Sequence, residues 1–381
     1  MYDFDDTLIK VTDYEVLGEL PDPFLKSDGT RVSSVREWQE QRKALYKTAV
    51  ELQYGTLPPE PEFLDVDVLY ESQKSCSYKI ITGKRNHPVS FYMKVICPSS
   101  KGPHPAIIDG DMCFMYSFDK DFTHTVTDNG ILLVLFDRTE LAHDITDEGP
   151  RKGQLYECYP EYTFGALGAW AWGYSRCVDA LEKLGIADMS CITFTGHSRG
   201  GKTAALAGAV DERAAIVNPN ATCAGACGCY RIHMKAIKEN NTEGESEQLK
   251  HIIGQFPFWF GPELGNYKDN ESELPFDCHF LKALVAPRIL FVSEAASDIW
   301  SNPIGSWQTT MAASEVYKFL GAEENLYWYF RKGYHFHDIQ DLQMLVNIIK
   351  HKTQNEPLSD KFFRTPFKKP ELIYSWRCPE V

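Results

Sequence analysis

The sequence predicts an α/β fold, in which a doubly wound and mostly parallel sheet is flanked by helices. Short apolar runs without polar alternation recur along the chain, and such runs are typical of strands that are covered on both faces. Helical patterns separate these runs, which is the order expected of a parallel sheet. Hydrophobic residues make up 43% of the 381 positions, enough to bury one large core. The predicted strands are PAIIDG, GILLVLFD, CITFTG, AAIVNPN, RILFVSE and NLYWYF.

The first elements differ from this pattern. Ser34 and Glu37 have the spacing of a capping box, which predicts a helix that begins there and ends near Gly55. The runs LDVDVLY and VSFYMKVI then alternate between polar and apolar residues, which predicts antiparallel strands ahead of the parallel ones. We therefore expect an N-terminal extension at 1–33, an α/β domain at 34–355 and a C-terminal tail at 356–381.

One segment interrupts the alternation of strands and helices. Residues 230–285 contain the polar run KENNTEGESEQ and the aromatic cluster FPFWFGPELGNY. We interpret this segment as an insertion at the carboxyl ends of the strands, where folds of this class build their sites. It is predicted to shape the cleft there. The high aromatic content of 13% suits either a Trp-rich core or a sugar-binding cleft.

Composition narrows the classes of function. The net charge of −14, without a basic stripe, argues against a nucleic-acid partner. No apolar run is long enough to span a membrane, so no membrane partner is expected. The eleven cysteines, several of them in apolar segments, and a start without a signal-like layout favour reduced, buried thiols in a cytoplasmic protein. A secreted protein is the alternative if a signal was removed.

The run DFDDT at 3–7 mimics a phosphatase motif but lacks the preceding buried strand that such a motif needs.

The clearest motif is Gly196–Gly200, with the sequence GHSRG, between the strand CITFT and the helical run RGGKTAALAGAV. In this context, G-x-S-x-G predicts the nucleophile elbow of an α/β-hydrolase fold, with Ser198 held at the sheet edge. The glycines relieve crowding in the sharp turn. The N-terminus of the following helix offers N–H groups for an oxyanion.

A triad requires an acid and a base later in the chain. Asp298 follows the strand RILFVSE, and Glu294, nearer the strand end, is the rival acid. His335 and His337 both follow the last strand, and Asp338 is expected to cap the next helix. The H-x-H pair also suits a metal site, but no third ligand follows at a useful spacing. We therefore expect no metal or other cofactor.

Four longer segments resemble the glucuronoyl esterase family, carbohydrate esterase family fifteen, and its bacterial branch most. These segments are GALGAWAWGYSR, TGHSRGGKTAALAGAVDER, LPFDCHFLKALVAPR and DIWSNP, and the resemblance runs from about residue 35 to 350. It implies a metal-independent serine esterase of lignocellulose degradation that cleaves esters between (4-O-methyl-)glucuronic acid on xylan and lignin alcohols. The implied substrate is a glucuronate ester or an oligosaccharide derived from glucuronoxylan.

Carried over residue by residue, the resemblance implies that Ser198 is the nucleophile and that Arg199 contributes to the oxyanion hole. It also implies four residues that contact the sugar, which are Lys202, Glu247, Gln255 and Trp300. These types are sensible for the task, because a sugar site needs several polar partners and an aromatic wall.

The chain departs from the family at one position. Many members carry a catalytic glutamate where this chain has Ala221. Other bacterial members place the acid after a later strand, which matches Asp298, and the bacterial R-x-G-x-H pattern matches His335, while the fungal H-x-H pattern matches His337. The alternatives are another carbohydrate esterase, such as an acetylxylan esterase, and an inactive glycan-binding homologue, for which Ala221 is the only support.

Overall fold

The computed structural model describes residues 13–114, 117, 119–149, 151–237, 243–358, 362–364 and 371–380. The DFDDT run and residues 238–242 of the polar run lie outside these. The described strands are β1 (Asp13–Val16), β2 (Phe63–Glu71), β3 (Ser75–Lys84), β4 (His87–Ile96), β5 (His104–Asp109), β6 (Leu132–Phe136), β7 (Ala187–His197), β8 (Ala214–Asn220), β9 (Ile232–Ile237), β10 (Glu243–Glu245), β11 (Ile289–Ala295) and β12 (Leu326–Arg331).

Nine strands form the main sheet in the order β12-β11-β8-β7-β5-β6-β4-β3-β2. The strands from β12 to β6 in this order are parallel, and β4, β3 and β2 continue the sheet in antiparallel pairing. The predicted α/β fold is therefore confirmed. The sequence reading missed β3, because its run SCSYKIITGK mixes polar residues with the alternating buried Tyr78, Ile80 and Thr82.

Helices cover both faces of this sheet. They are α1 (Val35–Tyr46), α2 (Leu52–Tyr54), α3 (Lys120–Thr127), α4 (Gln154–Cys158), α5 (Ala166–Leu184), α6 (Arg199–Val210), α7 (Leu249–Gln255), α8 (Cys278–Val285), α9 (Pro303–Phe319) and α10 (Ile339–Gln354). Along β6, Val134 packs into the core beneath α5 and α6, while its neighbours Leu133 and Leu135 pack into a second core beneath α3 and α10. Because both faces are buried, the strand carries no polar alternation.

The structure shows both predicted helix caps, but one of them lacks part of the predicted hydrogen bonding. Ser34 caps α1, since its side chain accepts the Glu37 N–H at 3.3 Å. The Glu37 carboxylate, however, accepts the Ser33 N–H at 3.0 Å rather than that of Ser34, so the predicted capping box is only half formed. Asp338 caps α10 as predicted, because its carboxylate accepts the Gln340 N–H at 2.8 Å.

The helical region after α1 is not uniform. It continues through a π-helical segment, Lys47–Glu51, into α2 and ends at Gly55, whose φ is +82°. A Cβ atom at Gly55 would lie 2.3 Å from the Thr163 carbonyl oxygen, so only glycine fits this turn. The predicted end of the helical region is therefore correct, while the π segment was not foreseen.

The segments outside the main sheet also pack onto the domain. The strands β1, β9 and β10 form a small antiparallel sheet. The Leu20 N–H donates to the Ile373 carbonyl at 2.9 Å, and the Trp376 indole donates to the Leu20 carbonyl at 2.7 Å. The region predicted as an insertion contains β9, β10 and α7, and its last helix, α8, packs against α6 and α9 in the layer that covers the sheet.

All eleven cysteines lie in the described part of the chain and are free thiols. Seven of them are buried, as the sequence reading expected: Cys158, Cys177, Cys191, Cys223, Cys227, Cys229 and Cys278. The cytoplasmic location inferred from them stays a prediction. Within the described residues, none of the helices has the length and apolar character needed to cross a membrane.

Candidate active site

The turn between β7 and α6 is a nucleophile elbow. Ser198 has φ +55° and ψ −113°, a conformation rarely adopted by a residue with a side chain, and α6 begins at the next residue. A Cβ atom at Gly196 would lie 2.6 Å from the Gly200 carbonyl group, and one at Gly200 would lie 2.2 Å from a carboxylate oxygen of Asp111. Both glycines of the motif are therefore required by close packing, and the turn lifts Ser198 to the carboxyl edge of the sheet.

The structure brings three predicted residues into one hydrogen-bonded chain. The Nε2 atom of His335 lies 2.9 Å from Ser198 Oγ, and its Nδ1 atom lies 2.6 Å from Asp298 Oδ2. Asp298 is buried, whereas about a third of the His335 side chain (32%) is exposed to solvent. This order of hydroxyl, imidazole and carboxylate is what nucleophilic catalysis by serine needs.

Asp298 is itself held in place by neighbours that the sequence reading did not identify. The Ser301 hydroxyl donates to Asp298 Oδ2, and the Ser301 N–H donates to Asp298 Oδ1 at 3.3 Å. The same hydroxyl lies 3.2 Å from Nδ1 of His335 and 3.3 Å from Sγ of Cys223. The only signal for this role is the position of Ser301 three residues after the acid.

The rival acid, Glu294, lies elsewhere. It is fully buried, and its Oε1 accepts a hydrogen bond from the Ser306 hydroxyl at 2.9 Å. Burial raises the pKa of the Glu294 carboxyl to about 8, so it is mostly protonated at neutral pH. Ala221, at the usual glutamate position, follows β8 with φ +45°. Of these positions, only Asp298 presents a carboxylate to the histidine.

The second histidine of the H-x-H pair, His337, is not one of the three residues that these hydrogen bonds join. The His337 ring stacks on His197 at a centroid distance of 5.8 Å and meets the edge of Phe122 at 5.1 Å. His197 lies 4.8 Å from the His335 ring. Burial lowers the pKa of His197 to about 4 and that of His337 well below its usual range, so both are neutral at neutral pH. They pack beside the base and leave His335 to face the serine.

Metal binding at this pair is not supported in the described part of the chain. No group of three or more His, Cys, Asp or Glu side chains there is arranged to hold a metal ion. Both ring nitrogens of His335 are already engaged by Ser198 and Asp298.

Three of the four predicted sugar-binding residues lie together. Lys202 Nζ lies 3.1 Å from Glu247 Oε2, and both side chains are buried. Burial raises the pKa of Glu247, and the Lys202 ammonium opposes that shift. The Glu247 N–H donates to the Trp300 carbonyl at 2.9 Å, and the Trp300 side chain is exposed beside the His251 ring, 5.6 Å away. Gln255 is exposed at the last turn of α7, and its side chain makes no hydrogen bond with a described residue.

Arg199 is held by an arrangement that the sequence reading also missed. Its Nη1 lies 2.9 Å from Asp144 Oδ2, while Asp144 Oδ1 accepts the Trp259 indole N–H at 2.9 Å. The guanidinium lies over the rings of Trp259 and Phe256, at 4.8 and 5.1 Å from their centroids. The aromatic cluster FPFWF signalled a cleft, but nothing near Asp144 in the sequence pointed to this clamp.

Comparison with known proteins places this geometry in a family. A family model for fungal glucuronyl esterases matches residues 80–321. A 4-O-methyl-glucuronoyl methylesterase of Podospora anserina is 33% identical over 81% of this chain, which spans only 62% of that protein. A 4-O-methyl-glucuronoyl methylesterase 1 of Wolfiporia cocos is 29% identical over 95% of this chain and 89% of its own length.

Solved structures agree with these relatives. A carbohydrate esterase family 15 glucuronoyl esterase from Caldicellulosiruptor kristjansonii superposes with a TM-score of 0.84 at 28% identity, over 95% of this chain and 98% of that one. The glucuronoyl esterase catalytic domain from Hypocrea jecorina, at 24% identity and a TM-score of 0.75, covers 96% of this chain and 98% of its own, and shares the fold.

Proposed function

The chain belongs to the glucuronoyl esterase family and is an enzyme that acts on ester bonds, and from this premise we propose how its site works. The substrate is an ester of (4-O-methyl-)glucuronic acid, of the kind that joins xylan to lignin alcohols, either free or on an oligosaccharide derived from glucuronoxylan. The observation that carries the proposal is the series of hydrogen bonds from Ser198 through His335 to Asp298, beside the buried ion pair of Lys202 and Glu247 to which we assign the sugar.

The first half of the reaction forms an acyl-enzyme. His335 takes the Ser198 proton at Nε2 as Ser198 Oγ attacks the C6 carbonyl carbon of the uronate ester. The carboxylate of Asp298 fixes the ring tautomer through Nδ1 and stabilises the imidazolium that forms. Backbone N–H groups at the start of α6 and the side chain of Arg199 stabilise the oxyanion. The alcohol leaves with the proton that His335 returns.

The second half restores the enzyme. A water molecule gives its proton to His335 Nε2 and attacks the acyl carbon, and Ser198 Oγ leaves with that proton. The uronic acid is released. His335 uses the same Nε2 atom in both halves, and about a third of its side chain is open to the solvent that supplies the water.

Binding of the sugar falls to residues that lie away from the reacting carbonyl. Lys202 lies one turn after the nucleophile on α6, so both face the same side of the helix. Its ammonium has donors beyond the one used by Glu247, and the exposed Trp300 ring supplies a flat wall for a pyranose. Gln255 is retained as a proposed sugar contact, because its side chain is exposed at the last turn of α7.

The experiment that tests the proposal is a substrate panel of methyl glucuronate, benzyl glucuronate, methyl galacturonate and p-nitrophenyl acetate. We expect kcat/KM to be highest for the two glucuronate esters. A kcat/KM for p-nitrophenyl acetate equal to that for methyl glucuronate would favour the acetyl esterase alternative. An acetyl esterase would not need Lys202, Glu247 and Trp300 to hold a sugar. A protein that cleaves none of the esters in the panel would favour the inactive glycan-binding alternative.

A further inference from the structure

Each of the two cations assigned to the substrate site is already paired with a carboxylate. The ammonium of Lys202 lies 3.1 Å from Glu247, and the guanidinium of Arg199 lies 2.9 Å from Asp144. Three of these side chains are buried, and the fourth, Arg199, is 30% exposed. The charges that would attract an anion are therefore balanced within the site itself.

Asp144 is built to stay where it is. One of its oxygens accepts from Arg199 and the other from the Trp259 indole, so both are engaged. A second cation, the Arg138 guanidinium, lies near the same carboxylate, with Nη2 3.7 Å from Asp144 Oδ2. The Trp259 ring, which Asp144 fixes, lies beneath the guanidinium of Arg199, so the carboxylate and the ring hold that side chain from two directions.

The reaction changes the charge of what the site holds. The uronate ester is neutral at its C6 group, but hydrolysis yields a carboxylic acid that ionises at neutral pH, since a carboxyl group has a pKa of about 4. An unpaired arginine beside this group would bind the product carboxylate through two charge-assisted hydrogen bonds. Product release would then be slow.

We propose that Asp144 and Glu247 make the site selective for the neutral ester over its anionic product, so that the uronate is expelled after hydrolysis. The proposal rests on the function proposed above and on Arg199 facing the C6 group. Asp144 acts through Arg199 and is therefore a positioning residue as well as a source of negative charge. Repulsion between the C6 carboxylate of the product and these two charges, with Asp144 beside Arg199 and Glu247 farther away on the sugar side, opposes binding of the uronate.

The test measures binding rather than turnover. In a Ser198→Ala protein, calorimetric titrations with methyl glucuronate and with sodium glucuronate give the two dissociation constants. We expect the ester to bind at least about tenfold more tightly than the acid. Adding Asp144→Asn should tighten glucuronate binding about fivefold, a modest change because Arg199 is partly exposed and screened, and should leave ester binding within about twofold.

Two further variants act as controls. Asp67→Asn removes one negative charge from an exposed position on β2, at the opposite edge of the sheet from β12, and should change neither constant. Asp144→Glu keeps the charge and should keep glucuronate binding weak. If Asp144→Asn prevents folding, Glu247→Gln tests the other ion pair. Because Glu247 is itself assigned to the sugar, both dissociation constants are expected to change, and the expected result is a fall of about fivefold in the ratio of ester affinity to acid affinity.

The proposal is overturned if glucuronate binds as tightly as the ester in the Ser198→Ala protein, or if neither ligand binds it. It is also overturned if a folded Asp144→Asn variant leaves glucuronate binding unchanged, or if the folded variant at position 144 or 247 shifts the affinities for both ligands equally. Hydrolysis of methyl glucuronate by the wild-type enzyme is measured separately, and its absence would count against the proposed function alone.

Discussion

The loops that follow β8 and β11 begin side by side, yet only one of them carries the acid. The two strands pair in parallel, with Asn220 opposite Ser293. The loop after β8 starts with Ala221, which has no carboxylate to offer, whereas the loop after β11 places Asp298 against the imidazole of His335. The comparison teaches that the acid is identified by its distance from the histidine, since the two loops start at neighbouring strand ends and only the one after β11 brings a carboxylate to His335.

The loop after β8 contributes differently to the same site. Its Cys223 thiol is buried and lies 3.3 Å from the Ser301 hydroxyl, which in turn donates to Asp298. The loop after β8 therefore supports the acid indirectly, through the contact of Cys223 with Ser301. Its apolar, cysteine-rich character fits that role, because a charged side chain there would need its own partner.

The largest expected loss of activity comes from removing the nucleophile, Ser198, on which the role of either loop depends. Ser198→Ala should lower kcat at least about a thousandfold, because the hydroxyl forms the covalent bond to substrate. Kinetics with methyl glucuronate measure this, and circular dichroism checks that the fold is intact. Residual activity above a thousandth of wild type would show that Ser198 is not the nucleophile. The active site that we place between the two loops would then be wrong as well.

The next effect separates the two histidines. His335→Ala should lower kcat by about a thousandfold, since it removes both proton transfers, whereas His337→Ala should cost less than about tenfold. His337 stacks on His197, whereas the hydrogen bond with Ser198 Oγ is made by Nε2 of His335. The reverse ranking would move the base to His337, and the role of Asp298 as the partner of His335 would then fail.

A smaller effect tests the support of the acid. Ser301→Ala should lower kcat about tenfold with KM nearly unchanged, because one hydrogen bond to the Asp298 carboxylate is lost while its contact with His335 remains. The matched control is Ser306→Ala, which removes the corresponding hydrogen bond from Glu294 and should leave kcat unchanged. Equal losses in the two variants would show that the serine contacts do not distinguish the two acids.

The smallest effect lies on the sugar side of the site. Lys202→Ala should raise KM for methyl glucuronate roughly fivefold and change the rate on p-nitrophenyl acetate little, since the ammonium is expected to contact sugar hydroxyls away from the carbonyl. Thermal unfolding of the same variant reports the cost of leaving Glu247 unpaired. If both substrates lose equally, Lys202 acts on the nucleophile and not on the sugar.

The sequence was sufficient for the parts of the site that have local signals. The elbow at Ser198 is marked by two glycines within five residues, and a strongly apolar strand precedes both candidate bases, His335 and His337, so local signals located the base without deciding between the two histidines. The strands of the parallel sheet were predicted because their burial on both faces leaves an unbroken apolar run. In these cases a short stretch of sequence is enough to place the residue at the edge of the sheet.

The remaining features depend on contacts between distant segments. Glu294 and Asp298 lie four residues apart, and only the direction of the chain after β11 decides which one meets His335. Asp144 contacts a residue 55 positions away, and no local pattern marks it. The resemblance to the family supplied Lys202, Glu247 and Trp300, which local patterns alone would not have linked.

The most direct test of the account measures kcat and KM for methyl glucuronate in Asp298→Asn and in Glu294→Gln. We expect Asp298→Asn to lower kcat about a hundredfold or more with KM within about threefold, because the imidazolium loses its partner and the ring tautomer is no longer fixed. Glu294→Gln should keep more than about a third of wild-type kcat, since an uncharged amide replaces a carboxyl that is already mostly protonated at neutral pH. Near-wild-type activity in Asp298→Asn, together with a severe loss in Glu294→Gln, would show that the acid of this triad is Glu294.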